Sequence, residues 1–226
     1  MSRDEGGHME EATTDGRVLR GEATRERVLD AAERLFAAEG FDAVSIRRIA
    51  AEAGVTLGVV GFHGGSKQKL FRTVLERRVE ALNAARRARL AELRAQDVPL
   101  EMRDLVDGYL TPYLDQASRG DPQWRAYARL IARIVSDDRW YPEVGGLYDP
   151  VAQEYLDAMH ELRPEVPRRE LVTALTLTVA SMLSLVASRA RIAGLSGREA
   201  GGPMDYRETL ITFCLGGIEA VAARGR

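Results

Sequence analysis

Lys67 falls in the first turn of a helix that begins just after Ser66, with Lys69 two residues on. A cation at that end opposes the helix dipole, and a phosphate facing it would explain its place. A second basic pair, Arg129 and Arg133, is spaced four apart on one helix face, where it could meet an anionic ligand or stay solvated or ion-paired. Other reactive groups are few. The histidines, His8, His63 and His160, are too scattered for a metal-ligand spacing. Cys214 is the single cysteine, which excludes an intramolecular disulfide and a thiolate cluster. No nucleophile stands beside a base at a recognisable spacing, and no phosphate-binding loop is present. The chain is therefore expected not to be an enzyme and to carry no cofactor and no metal.

The elements that would position the basic residues come next. The chain has 226 residues, 45% hydrophobic and 29% charged, the balance of a soluble globular protein. Residues 1–16 are acidic, with Asp4, Glu5, Glu10, Glu11 and Asp15 and no apolar segment; they are expected to be a disordered tail rather than a signal peptide. Residues 17–78 hold twelve basic and eight acidic side chains, so positive charge gathers there. The longest apolar stretch, Leu171 to Ala187, contains five Ser or Thr and is short of the ~20 residues that a membrane span needs. It reads as a buried helix, and a cytoplasmic protein with no membrane partner is expected.

No strand-like alternation persists; apolar residues recur at helical spacing. Val28, Ala32, Leu35 and Phe36 mark a helix over 24–39, ended by Gly40. Ser45 would cap a second helix, with Ile46, Ile49, Ala50 and Ala53 on one face and Gly54 as its stop. Thr56 would cap a short third helix to about His63, which the Gly64-Gly65 pair ends. Ser66 caps a long fourth helix. Further helices are expected at 99–119 (kinked by Pro112), 122–136, 147–162, 167–194 and 203–223, separated by proline and glycine breakers that include the 142–146 segment. The fold class is all-α: an N-terminal three-helix helix-turn-helix domain (17–66) and a larger helical C-terminal domain (67–226) of five or six helices, about nine in total.

Two short helices joined by a tight glycine turn and braced by a third make a helix-turn-helix. Ala50, Ala53 and Gly54 are small enough for the second helix to lie close on the third. Residues 24–82 resemble the DNA-binding domain of TetR/AcrR-type transcriptional regulators. The matching residues are Arg27-Val28-Leu29-Asp30-Ala31-Ala32, Leu35-Phe36, Glu39-Gly40-Phe41, Ser45-Ile46-Arg47-Arg48-Ile49-Ala50, Ala53-Gly54-Val55, Phe62-His63-Gly64-Gly65-Ser66-Lys67 and Leu70-Phe71. The resemblance implies that Thr56, Leu57, Val59 and Phe62 face DNA bases, and that Ser45, Arg47, His63 and Lys67 touch phosphate. The chain departs from the family pattern at Gly61 and Gly64, where larger residues are usual. Gly58, Gly61 and Gly64 weaken the third helix, since each interior glycine costs roughly 0.5–1 kcal/mol relative to alanine. Leu57, Val59 and Val60 offer no bidentate base contact, so thymine methyls are their natural targets. Shape read by Arg47, or by arginines 17, 20 and 25, would add specificity.

In the C-terminal domain, Leu171, Ala174, Leu175, Thr178, Val179, Met182, Leu185 and Val186 form a wide apolar stripe. Tyr206, Leu210, Phe213, Cys214, Gly217 and Val221 form another. Family members that resemble this chain pair their last two helices in a dimeric four-helix bundle. That would place Leu175, Val179, Met182, Val186, Tyr206, Leu210, Phe213 and Gly217 at a homodimer interface; a purely intrachain core is the other reading. Tyr109, Tyr113, Trp124, Tyr127, Tyr155, Met159 and Met182 could line a cavity for a small-molecule effector, or be ordinary core. The expected function is a repressor that binds double-stranded palindromic DNA as a homodimer and is released by an effector. The alternative is a helical dimer that binds DNA weakly or without sequence preference and has no effector.

Overall fold

A computed structural model describes residues 6–135 and 137–223, with side chains from Leu19 onward. Among the described residues there are ten α-helices and no strand. In chain order they are α1 (Gly6–Glu39), α2 (Ile46–Ala53), α3 (Leu57–Gly64), α4 (Lys67–Arg94), α5 (Met102–Arg119), α6 (Pro122–Ile134), α7 (Tyr141–Leu162), α8 (Arg168–Ala187), α9 (Arg189–Ser196) and α10 (Arg207–Ala223). Short 3-10 turns at Asp138–Trp140 and Pro203–Tyr206 lead into α7 and α10.

Several ends follow from local chemistry. Ser45 caps α2 by accepting from the Arg48 amide at 3.2 Å. Gly54 ends α2 in the left-handed region, φ 65° and ψ 38°, where a side chain is disfavoured. Asp121 caps α6 by accepting from the Trp124 amide at 2.9 Å, with Pro122 behind it in the first turn. At the start of α5 the Glu101 amide donates to Asp104 Oδ2 at 2.9 Å.

Four boundaries differ from expectation. Residues 6–16 belong to α1 rather than to a disordered tail: no proline interrupts them, and His8 to Ala12, with Met9, Glu10 and Glu11, hold no glycine; residues 1–5 of that expected tail lie outside the described residues. The 142–146 segment does not break the chain. Pro142 occupies the first turn of α7, where its missing amide has no partner to lose, and Gly145 and Gly146 continue the helix. The helix expected over 167–194 divides at Ser188, which leaves helical geometry (φ −105°, ψ 15°), ends α8 and starts α9. The chain divides into compact units at Val74/Leu75, inside α4, rather than at 66/67. The first turns of α4 belong with the N-terminal unit because Leu70, Phe71 and Val74 are buried there. The Phe71 ring stands 5.2 Å from Phe36 and 4.9 Å from Phe41, edge-on to both.

The first unit is built of α1, α2, α3 and the start of α4. Val28, Leu29, Ala32, Phe36, Ile49, Val60 and Leu70 make its core. In the second unit α5 packs against α6, α7, α8 and α10, and α8 packs against α10. By length and hydropathy α8 alone among the described residues could cross a membrane; within this unit it lies against four other helices.

Candidate functional site

In the first unit, α2 and α3 form two sides of a helical corner. Val60 anchors α3 to the core and is fully buried. Gly64 lies against Leu70, where an added Cβ would sit 3.0 Å from its Cδ1, and Gly65 turns the chain into α4 at φ 64°, ψ −127°. Anchored on that side, α3 turns its opposite edge outward. Phe62 is 85% exposed and Leu57 48%. Gly58 and Gly61 share that edge with open space around them. Val59 and His63 are partly exposed, and the His63 ring stands edge-on to Phe62 with centroids 5.0 Å apart. Thr56 is exposed at the N-terminus of α3, and its hydroxyl makes no capping bond.

At the start of α2, Ser45 and Arg47 are exposed. Among the described residues the Arg47 side chain has no ion pair or hydrogen bond, whereas its neighbour Arg48 is held by Glu39 at 3.2 Å. Among the described residues, the side chains of six of the eight expected DNA-contacting residues, all but Ser45 and Lys67, therefore make no hydrogen bond or ion pair. Ser45 spends an oxygen lone pair on its cap. Lys67 has intramolecular partners that satisfy it without a phosphate. Its Nζ donates to the Asp42 carbonyl at 3.3 Å and lies 4.3 Å from the centre of the Phe41 ring. Arg20 and Arg25 sit on α1 with exposed side chains, and Arg25 pairs with Glu26.

The second unit hides a cluster of tyrosines. Tyr109, Tyr113, Tyr127 and Tyr155, together with Met159 and Met182, are buried; Trp124 is partly exposed. Tyr113 donates its hydroxyl to the Ala128 carbonyl at 2.8 Å, and the Tyr127 and Tyr148 hydroxyls share a bond of 2.5 Å. Tyr155 donates to the Arg86 carbonyl at 2.8 Å, edge-on to Tyr109. Burial pushes the phenols of Tyr113, Tyr148 and Tyr155 well above their ordinary range, and the Arg86 charge partly opposes the rise in each. Arg129 and Arg133, the pair spaced for an anion, both point to solvent instead.

Arg86, Asn83 and Tyr148 are the members of this cluster that the sequence reading missed. A signal for the first two was present. Val79, Leu82, Leu90 and Leu93 define the buried stripe of α4, and Asn83 and Arg86 fall on it as polar interruptions. A separate pocket of about 250 Å³ opens among Leu100, Glu101, Met102, Arg103, Leu162, Arg163, Leu215 and Glu219, and none of the seven expected ligand residues lines it.

Of the residues expected at a dimer interface, Leu175, Met182 and Leu210 are buried in the chain's own core, so they cannot meet a partner directly. The stripes were too wide to separate the inner face from the outer. Val179, Val186 and Tyr206 are half-buried, and Phe213, at 70% exposed, and Gly217 face outward. Exposed beside them are Val172, Thr176, Leu177 and Ala180 on α8 and Thr209, Thr212, Gly216 and Ala220 on α10, none of them charged.

A short, outward-facing helix set on a glycine corner, with a separate helical unit behind it in sequence, defines a helix-turn-helix regulator. Comparison with known proteins gives the family. Residues 28–74 match the model of bacterial regulatory proteins of the tetR family, and residues 107–217 match a tetracyclin repressor-like C-terminal domain. The chain belongs to the TetR family of DNA-binding, non-enzymatic transcription regulators. Among curated proteins it is 28% identical over 172 residues to the transcriptional repressor AcnR of Corynebacterium diphtheriae, covering 73% of this chain and 81% of that one. It is 39% identical over 61 residues to the transcriptional regulator SrpR of Pseudomonas putida, which is 29% of that protein's length. Among solved structures, the fatty acid degradation regulator FadR of Bacillus halodurans shares the fold at a TM-score of 0.61 and 14% identity, covering 86% of this chain and 95% of that one. A Saccharomonospora viridis protein whose structure holds choline does so at 0.55 and 19%, covering 85% and 95%.

Proposed function

We propose that this protein is a repressor that binds a palindromic operator as a homodimer and releases it when a small molecule enters the second unit. The observation that carries the reading is the outer edge of α3. Thr56, Leu57, Val59 and Phe62 are presented to solvent while Val60 anchors the helix from behind. An apolar edge of this width suits thymine methyls in a major groove, with Arg47 and His63 at its flanks for phosphate. Ser45 and Lys67 remain proposed backbone contacts, and Lys67 must leave Asp42 to make one.

The run of exposed uncharged residues on α8 and α10, flanked on α10 by Glu208 and Glu219, supports a dimer. Gly216 and Gly217 have open space around them, which allows a second backbone to approach closely. Two copies would present their reading helices to half-sites about 34–36 Å apart, or a multiple of that. The buried tyrosine cluster supports an effector site, and the choline-bound neighbour supports small-ligand binding by this fold. α4 carries Phe71 in the first unit and Arg86 in the second, so a ligand that biases α4 acts on both. A coupling of about 1–3 kcal/mol would weaken DNA binding about 5–150-fold. A protein of this kind works in the cytoplasm.

Gel-shift titration against DNA from upstream of the protein's own gene tests the reading. The expected result is saturable binding that survives excess unrelated DNA. The glycine-lined edge of α3 favours one other outcome, equal affinity for every sequence, and that result would overturn the specific repressor.

A further inference from the structure

We propose that Arg86 and Asn83 form the polar end of the effector site, and that the effector is an organic carboxylate with a hydroxyl or amino group next to the carboxylate. The proposal rests on reading the second unit as the effector-binding one.

Arg86 is only 3% exposed, yet among the described residues no carboxylate pairs with it. Its Nε donates to the Tyr109 carbonyl at 3.0 Å, and its guanidinium carbon lies 3.9 Å from the centre of the Tyr109 ring. That bond uses one of five N–H donors. A buried cation is costly unless it is paired, and ring and carbonyl leave the charge itself uncompensated. Asn83, three residues earlier on the same face of α4, is 7% exposed. Its Nδ2 donates to the Leu147 carbonyl at 2.8 Å, while its Oδ1 is buried with no partner. The helix thus offers an uncompensated cation and an orphan acceptor side by side.

The phenols around Arg86 supply no charge of their own, and the Glu154 carboxylate, which acts on Tyr155, is already paired with Arg87 at 2.8 Å. Arg86 acts electrostatically on the phenols of Tyr113, Tyr148 and Tyr155, whose raised pKa values keep them neutral. The Tyr113 and Tyr155 hydroxyl protons are committed to backbone carbonyls. A carboxylate accepting from the guanidinium fork would neutralise Arg86. A hydroxyl or amino hydrogen beside it would satisfy Asn83 Oδ1. A quaternary ammonium of the kind held by the choline-bound neighbour would meet a like charge here.

The test uses the full chain and two readouts on the same samples: thermal unfolding for binding, and fluorescence anisotropy of operator DNA for release. The probes are 2-hydroxybenzoate and lactate, their primary amides, and benzoate and propionate, which lack the hydroxyl. The expected result is that at least one hydroxy acid raises the melting temperature of the wild type in a dose-dependent way. Its amide does not, and its deoxy counterpart binds more weakly. Arg86→Met, which replaces the cation with an apolar chain of similar length, folds and binds the acid at least about thirtyfold more weakly. Asn83→Asp places a carboxylate beside Arg86 within the chain; it raises the melting temperature without ligand and abolishes the response. Amides as effective as acids, no response to any acid, an undiminished response in Arg86→Met, or destabilisation by Asn83→Asp would each overturn the proposal. An acid that binds through Arg86 without changing DNA affinity leaves the site standing and removes the effector role instead.

Discussion

The two units depart from ordinary burial in opposite directions. The first leaves a phenylalanine 85% exposed on α3. The second takes an arginine and an asparagine out of water on α4 and leaves one polar atom, Asn83 Oδ1, without a partner. Exposed apolar surface and buried unpaired polarity are the informative exceptions to the rule that apolar groups go inside. In the first unit the outer edge is made of side chains that the core did not take. In the second, the polar stretch of α4 is made of side chains that the core took at a cost. An unfilled surface suits a large partner that arrives from outside, such as a groove of DNA. Buried polar groups with bonding capacity left over suit a small one.

The largest expected effect comes from the face of the first unit turned away from solvent. Phe71→Ala removes a ring packed on Phe36 and Phe41 and should cost about 3–5 kcal/mol of unfolding free energy, measured by urea titration. A loss under 1 kcal/mol would mean that the first turns of α4 are not part of that core.

The second effect belongs to the other unit. The phenols of Tyr113, Tyr148 and Tyr155 have raised pKa values in the folded state, so folding favours their protonated forms. Below the ordinary value of about 10, both folded and unfolded chains hold these protons and stability does not change on their account. Above it the unfolded chain releases protons that the folded one keeps, and stability falls by about 1.4 kcal/mol per pH unit for each tyrosine. Denaturant midpoints measured from pH 9 to 11 check this; a flat profile would mean that the phenols are in contact with water. Tyr→Phe variants at the three positions should flatten it in turn.

The same contrast explains what was legible in the sequence. The corner of the first unit is local. Ser45, Gly54 and Gly65 act within a few residues of their own positions, so their caps and turns can be read from spacing alone. Phe62 and Thr56 fall on the outer edge because Val60 and Gly64, on the other side of the same short helix, face the core. The second unit is settled by packing between distant segments. Tyr148 meets Tyr127 across 21 residues and Tyr155 meets Arg86 across 69; spacing along one helix cannot show either. The apolar stripes of α8 and α10 cover so much of each helix that they do not say which side meets the chain's own core, so Leu175, Met182 and Leu210 were placed outward when they point in. The division at Ser188 was hidden for a related reason. Serine is neither a strong helix former nor a breaker, and its neighbours continue the helical pattern.

The third effect is a gain. Gly58 and Gly61 have negative φ and open space where a Cβ would go. Alanine at either position should therefore raise stability by about 0.5–1 kcal/mol through the lost freedom of the unfolded chain. Thermal unfolding of each single variant measures it. A decrease would show that this edge is more constrained than its surroundings indicate, and would narrow the difference between the two units.

The smallest change in stability carries the most about function. Phe62→Ala removes a side chain that is 85% exposed, so unfolding free energy should move by no more than about 0.5 kcal/mol. Binding to the operator should nevertheless weaken, because the ring is the largest apolar group on the reading edge. Its loss should leave the salt dependence of binding unchanged, since no phosphate contact is lost with it. Arg47→Ala, at the flank of the same corner, should instead lower the slope of log K against log salt by about 0.9 and weaken binding to all sequences alike. Gel shifts at two salt concentrations, with operator and unrelated DNA, separate the two variants. If Phe62→Ala weakens both DNAs equally, the exposed edge of α3 is a non-specific contact surface, and sequence is read elsewhere on the corner.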